Sequence, residues 1–149
     1  MGISTVFQKR ILELVEESDK TRTKLRTEMN LASYTFSNAL NYGIVPRPKT
    51  LITIADYFDV SVDYLIGRSD DRSFTPAVKP CTFAERFEEM CSEHGSSHYK
   101  VGTYGGFDKS LIVRWLNDGF LPSLENLELI CDYFGVSADY ALGRTDFKN

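Results

Sequence analysis

The chain is written twice. The stretch DYFDVSVDYLIGRSD at residues 56–70 returns 76 residues later as DYFGVSADYALGRTD at 132–146. The same offset, without a gap, carries Phe7 onto Phe83, Arg10 onto Arg86, Leu40 onto Leu116, Asn41 onto Asn117, Gly43 onto Gly119 and Pro46 onto Pro122. Between residues 7–70 and 83–146, 22 of 64 positions are identical, which chance does not give without gaps. A unit of this length, repeated once, makes the chain a pair of small domains. The repeats place these domains at 1–70 and 81–149, with 71–80 as a linker. Residues 69–80 have linker composition, polar and punctuated by Pro76 and Pro80. About ten such residues, fully extended, reach up to roughly 33–36 Å, so the domains need not touch.

Each copy reads as helices. Phe7, Ile11, Leu14 and Val15 recur at i, i+4, i+7 and i+8, one apolar stripe. Thr50, Leu51, Ile54, Ala55 and Phe58 repeat that logic after the punctuation Pro46-Arg47-Pro48. Ser61 and Ser137 stand where N-caps of a last short helix belong. Asp63 and Asp139 fall in its first turn, and Gly67 and Gly143 suit its C-terminal stop. No period-2 run is long enough for a sheet. The expectation is an all-α chain with helices near 5–17, 22–29, 33–41, 48–58 and 61–66, and the same plus 76.

The hydrophobic content of 42% suffices for packed cores. No apolar run approaches the ~20 residues that span a bilayer, and the opening residues lack the layout of a secretory signal, so a cytoplasmic protein without membrane contact is expected. Three cysteines, Cys81, Cys91 and Cys131, form no framework. Cys91 and Cys131 read as small core hydrophobes of a reducing compartment. A net charge of −4 speaks mildly against a nucleic-acid partner, but binding depends on where charge lies.

The ending DYF-x-VS-x-DY-x-x-GR-[ST]-D, together with five helices per copy, resembles the Xre/Cro-like family of phage-repressor-type helix-turn-helix regulators. The resemblance covers nearly the whole chain except the linker. It implies two tandem five-helix, lambda-repressor-like domains in a non-enzymatic, cofactor-free regulator of transcription that binds double-stranded DNA. In that family the second and third helices form the helix-turn-helix, and the third enters the major groove. The family anchors land on Leu25, Met29, Leu31, Phe36 and Leu40. The base-reading positions correspond to Ser33, Tyr34 and Asn38 in the first copy, and to Lys109, Ser110 and Arg114 in the second. Asn can pair with an adenine edge and Arg with guanine, while Tyr can meet a thymine methyl. Phosphate contacts fall on Thr21 and Arg22, or on Ser97 and His98, with Lys24, Arg47 and Lys49 as further cations of the first copy. Asn38 is also readable as a solvated helix residue and Tyr34 as packing for a partner helix.

Three departures from the family pattern stand out. Arg26 occupies a position where the family has a small residue. In the second copy Gly102, Gly105 and Gly106 each cost a helix ~1 kcal/mol relative to Ala, so a short or irregular second helix is expected there. The family's arginine late in the first helix, which pairs with an acid after the third, is absent: Val15 and Cys91 stand in its place, with no acid opposite.

Identity between the copies is uneven: 11 of 17 positions over 54–70 but 2 of 22 over 18–39. Either the copies read different sequences or one has stopped reading. Residues 20–49 hold six cations against Glu28 alone, a local charge of +5, whereas 96–125 hold three cations against three acids. Phosphate neutralisation supplies most non-specific affinity, so the first copy is expected to be the main DNA binder. The second copy's apolar loop, Phe120-Leu121-Pro122, suggests packing against protein, either the other domain or a second chain in a homodimer. Two rivals remain. One is a protein-interaction adaptor or antirepressor on the same fold. The other is a zinc protein built on Cys91, His94 and His98, which lacks a fourth ligand.

Overall fold

A computed structural model describes residues 2–149. Among the described residues all regular structure is helical, in ten helices, and the chain divides into two compact units, 1–74 and 75–149. The first unit holds α1 (Ile3–Glu17), α2 (Arg22–Met29), α3 (Ser33–Tyr42), α4 (Pro48–Phe58) and α5 (Val62–Leu65). The second holds α6 (Phe83–Glu93), α7 (His98–Gly105), α8 (Lys109–Asn117), α9 (Leu124–Phe134) and α10 (Ala138–Ala141).

Local chemistry sets these boundaries. Thr21 and Ser61 in the first unit cap α2 and α5 by accepting a hydrogen bond from a backbone N–H of the first turn. Ser97, Asp108, Ser123 and Ser137 do the same for α7, α8, α9 and α10, and Thr82 forms a capping box with Glu85 at α6. Gly67 and Gly143 follow the last helix of each unit in the left-handed region, at φ +82° and +75°. At Gly143 a side chain is doubly excluded, because its first carbon would be driven into the carbonyl of Cys81.

In the first unit α1 packs on α3 and α5, and α4 on α2 and α5, around a core that includes Phe7, Ile11, Leu25, Leu40, Leu51, Ile54 and Leu65. Leu25, Met29, Phe36 and Leu40, expected as the packed face, are buried, and Leu31 is half-buried. The second unit repeats the plan with a more aromatic core. Trp115 is buried in place of Ala39 and meets Phe83, Phe87 and Phe107 edge-on at 6.0, 6.2 and 5.2 Å.

That exchange corrects the expectation for α7, which is regular and, at eight residues, as long as α2. Gly105 stands where the first unit has Met29, and the Phe107 ring lies against it so closely that a methyl would collide. Burying Phe107 against Trp115 offsets the helical cost of the glycine, since a buried aromatic side chain contributes about 1.5–3 kcal/mol.

The division between the units falls inside the stretch expected to be a linker, and parts of that stretch are held by hydrogen bonds and an ion pair. Arg72 pairs with Glu17 at 2.7 Å. From 75 onward the chain is laid along the second unit: the Thr145 hydroxyl donates to the Thr75 carbonyl, Ala77 N–H to the Arg144 carbonyl and Val78 N–H to Asp146. Ala77 is buried there.

The signature ending proves to be a clasp. Arg10 reaches from α1 to the Tyr64 carbonyl, the Ser69 carbonyl at 2.7 Å and Asp70 at 2.9 Å, and its guanidinium lies over the Tyr64 ring at 4.3 Å. Arg86 does the equivalent from α6, donating to the Thr145 carbonyl and stacking on Tyr140 at 3.9 Å. Asp63 with Arg68, and Asp139 with Arg144, close the same corner. The residues that make the repeat recognisable therefore fasten the first helix of each unit to its last.

Candidate nucleic-acid interface

In the first unit α2 and α3 are joined by residues 30–32, with Asn30 in the left-handed conformation that ends α2. Buried Phe36, Ala39 and Leu40 face the core, which turns Ser33, Tyr34, Ser37 and Asn41 outward. Ser33 is exposed and Tyr34 is 72% exposed, while Asn38 is half-buried. Ser37 and Asn41 were not among the sequence candidates. Their signal was available, since they follow Tyr34 at i+3 and i+7 on one helix face.

The cations of this unit separate into two groups. Lys20 is committed to a clasp, donating to Glu28 at 3.1 Å and to the Tyr57 hydroxyl at 2.9 Å. Arg26 folds back onto the Leu31 carbonyl at 3.2 Å. Arg22 is exposed at the first position of α2 and braces Asn41 of α3 at 3.0 Å. Lys24, Arg47 and Lys49 are exposed. Thr21 is exposed too, its oxygen accepting the Lys24 N–H.

Arg22, Lys24, Arg47 and Lys49 share an electrostatic peculiarity. All four sit in or beside the first turn of a helix, α2 or α4, where backbone N–H groups already present positive charge. A cation there is unfavourable by about 0.3–1 kcal/mol, and α4 has no side-chain cap. The second unit makes the opposite choice at α9, with Ser123 as the cap and Glu125 in the first turn.

The second unit's candidates lie on the matching helices. Lys109 and Ser110 begin α8 exposed, and Arg114 is exposed one turn on, opposite buried Trp115. Asp108 caps that helix, so an acid flanks Lys109. Ser97 caps α7. His98 is paired with Glu88 of α6 and lies against the Phe87 ring at 5.7 Å. In the loop before α9, Phe120 is 62% exposed and Pro122 is buried.

His94 Nδ1 lies 3.1 Å from the Met90 carbonyl. Among the described residues no group of three or more His, Cys, Asp or Glu side chains is placed to hold a metal ion, and no helix is long and apolar enough to cross a membrane. Burial pushes the Cys91 thiol up to about 11 and raises Cys81 as well.

No protein-family model, curated protein or solved structure matches this chain.

Proposed function

We propose that the chain is a sequence-specific regulator of transcription, binding double-stranded DNA, with two tandem helix-turn-helix domains of the Xre type. The first unit is the principal DNA binder. Ser33, Tyr34 and Asn38 on α3 face base edges, with Ser37 and Asn41 beside them. Thr21, Arg22 and Lys24 at the start of α2 and Arg47 and Lys49 at the start of α4 take phosphates.

The observation that carries this reading is the placement of cations at helix N-termini. For stability alone Arg47 and Lys49 are poor choices, as the second unit's Ser123 and Glu125 demonstrate. A phosphate at such a terminus turns the same residues into an asset, because that helix's backbone N–H groups and side-chain cations then meet one anion. Neutral and apolar features set the second unit apart. The exposed Phe120 and the His98–Glu88 pair favour protein pairing there over strong DNA contact, the adaptor role confined to one half.

Binding of the intact chain to genomic fragments at several salt concentrations tests the proposal. Affinity should fall with salt at a log–log slope near −0.9 for each phosphate neutralised, about −4 for Arg22, Lys24, Arg47 and Lys49 together. Reversing Arg22→Glu and Arg47→Glu should weaken binding to all sequences and flatten that slope. No binding to any DNA at low salt would sink the proposal.

A further inference from the structure

Between α7 and α8 the second unit contains a cavity of about 410 Å³, open to solvent. Its walls are Gly102, Gly106, Phe107, Ile112, Val113 and Leu116, with Lys109 on the rim. The first unit carries bulkier side chains at two of these positions. Its Arg26 stands at the position of Gly102 and donates to the Leu31 carbonyl, and Phe36 stands where Ile112 is. Smaller residues at these two positions, Gly102 and Ile112, leave room for the hollow in the second unit.

The packing need at Gly102 is real but modest: an added Cβ would lie 3.3 Å from the Phe107 carbonyl and 3.4 Å from Ile112. That space would admit a small adjustment, so close helix packing does not account for the loss of a whole arginine side chain. The volume lies in the range of small-molecule sites, roughly 300–1,000 Å³. The lining is mainly apolar; its polar members are Lys109 and, from α7, His98, Tyr99 and Thr103, with His98 already paired with Glu88 and no acidic side chain on the wall.

We propose that this cavity is a binding site for a small apolar carboxylic acid, its hydrocarbon or aryl body between α7 and α8 and its carboxylate on Lys109. A flexible ammonium on the rim of an apolar hollow pairs with one negative charge and leaves the body of the ligand to be desolvated. Lys109 is also a base-reading candidate, so an acid held there would oppose any DNA contact by α8. That last consequence alone rests on the proposed function; the site itself does not.

The reporter is built in. Trp115 is the chain's single tryptophan, buried, with its ring 5.2 Å from Phe107 of the cavity wall. The intact chain, without DNA, is titrated with 4-phenylbutanoate and, separately, with 4-phenylbutanamide, following tryptophan emission. The acid should produce a saturable change with Kd on the order of a millimolar or tighter, and the amide should bind at least about three-fold more weakly. Lys109→Gln should erase the difference between acid and amide. Gly102→Arg, which installs the first unit's residue, should abolish both responses while helical circular dichroism is kept. Should that variant lose its helicity, Val113→Glu, at a 42% exposed position, places a repelling charge on the wall and should abolish acid binding. The proposal is overturned by absence of a saturable response to about 10 mM acid, a range beyond the expected affinity. It is equally overturned if acid and amide bind alike to the unaltered chain, or if acid binding survives in folded Gly102→Arg or Val113→Glu. A failed DNA-binding assay leaves all these readouts in place.

Discussion

Arg10 and Arg86 are the residues whose roles changed most between sequence and structure. Both were visible as repeat identities, yet nothing in their spacing says that a first-helix arginine lies on a tyrosine 54 residues later. Arg86 is the more demanding of the two, because its side chain is only 7% exposed while it donates to Thr145 and stacks on Tyr140. Arg86→Lys keeps the charge but loses the planar fork and the stack. It should lower unfolding free energy by about 1–3 kcal/mol, read by urea denaturation through Trp115 emission, which reports the same unit. Cys91 supports a second prediction. With its thiol pushed up to about 11 against an ordinary value of 9.0, it is almost wholly protonated at pH 8 in the folded chain. A disulfide reagent should therefore modify it far more slowly in native than in urea-unfolded protein, measured residue by residue by mass spectrometry. The sign for stability follows: a raised folded value holds the proton more tightly than the unfolded chain. The contribution is whole below pH 9 and lost as pH rises toward 11.

Helix limits were legible because caps and stops are local chemistry; the expected starts of α2, α3, α4, α7, α8 and α9 are those observed. The regularity of α7 was not legible, because the cost of its glycines is local and the gain that offsets it is tertiary. No local pattern announces that Trp115 in place of Ala39 meets Phe107, since the contact joins α8 to the turn before it. A comparable exchange fastens α2 to α4 in the first unit and α7 to α9 in the second. The Tyr57 hydroxyl donates to Glu28 at 2.6 Å, with Lys20 joined to both. The equivalent residues of the second unit are Tyr133, Tyr104 and Ser96, where two rings lie 5.0 Å apart and a neutral hydrogen bond links Ser96 to Tyr133. The Tyr57 hydroxyl and then Lys20 hold the Glu28 carboxyl below its usual range. Its contribution is thus present above the ordinary glutamate value, ~4.3, and disappears as pH falls through the lowered one. Hydrogen exchange, corrected for intrinsic rates, should show α2 losing protection in acid while α7 keeps it. Tyr57→Phe should reproduce the α2 loss at neutral pH; equal acid sensitivity of α2 and α7 would contradict this account.

At the scale of the molecule, duplication was the most legible fact and the tether the least. Polar, proline-marked composition describes residues 69–80 correctly as non-helical, but composition cannot show that Ser69, Asp70 and Arg72 are held by α1 while 75–81 lie along the second unit. The division between the two units falls between residues 74 and 75, among these held stretches. A protease of broad specificity should consequently cut first within 72–76 and spare 76–81, leaving two fragments of nearly equal mass. The same cut separates the two charge environments. The N-terminal fragment carries Arg22, Lys24, Arg47 and Lys49 at helix N-termini, whereas its counterpart offers Lys100, Lys109 and Arg114 against Asp108, Asp118 and Glu125. If those four cations hold phosphates, the N-terminal fragment should retain salt-dependent DNA binding, and the C-terminal fragment should show weak binding with a shallow salt slope. Retention of affinity by the C-terminal fragment alone would reverse the roles given to the two units, because its neutral face would then have to bind by base contacts without the electrostatic contribution that ordinarily dominates.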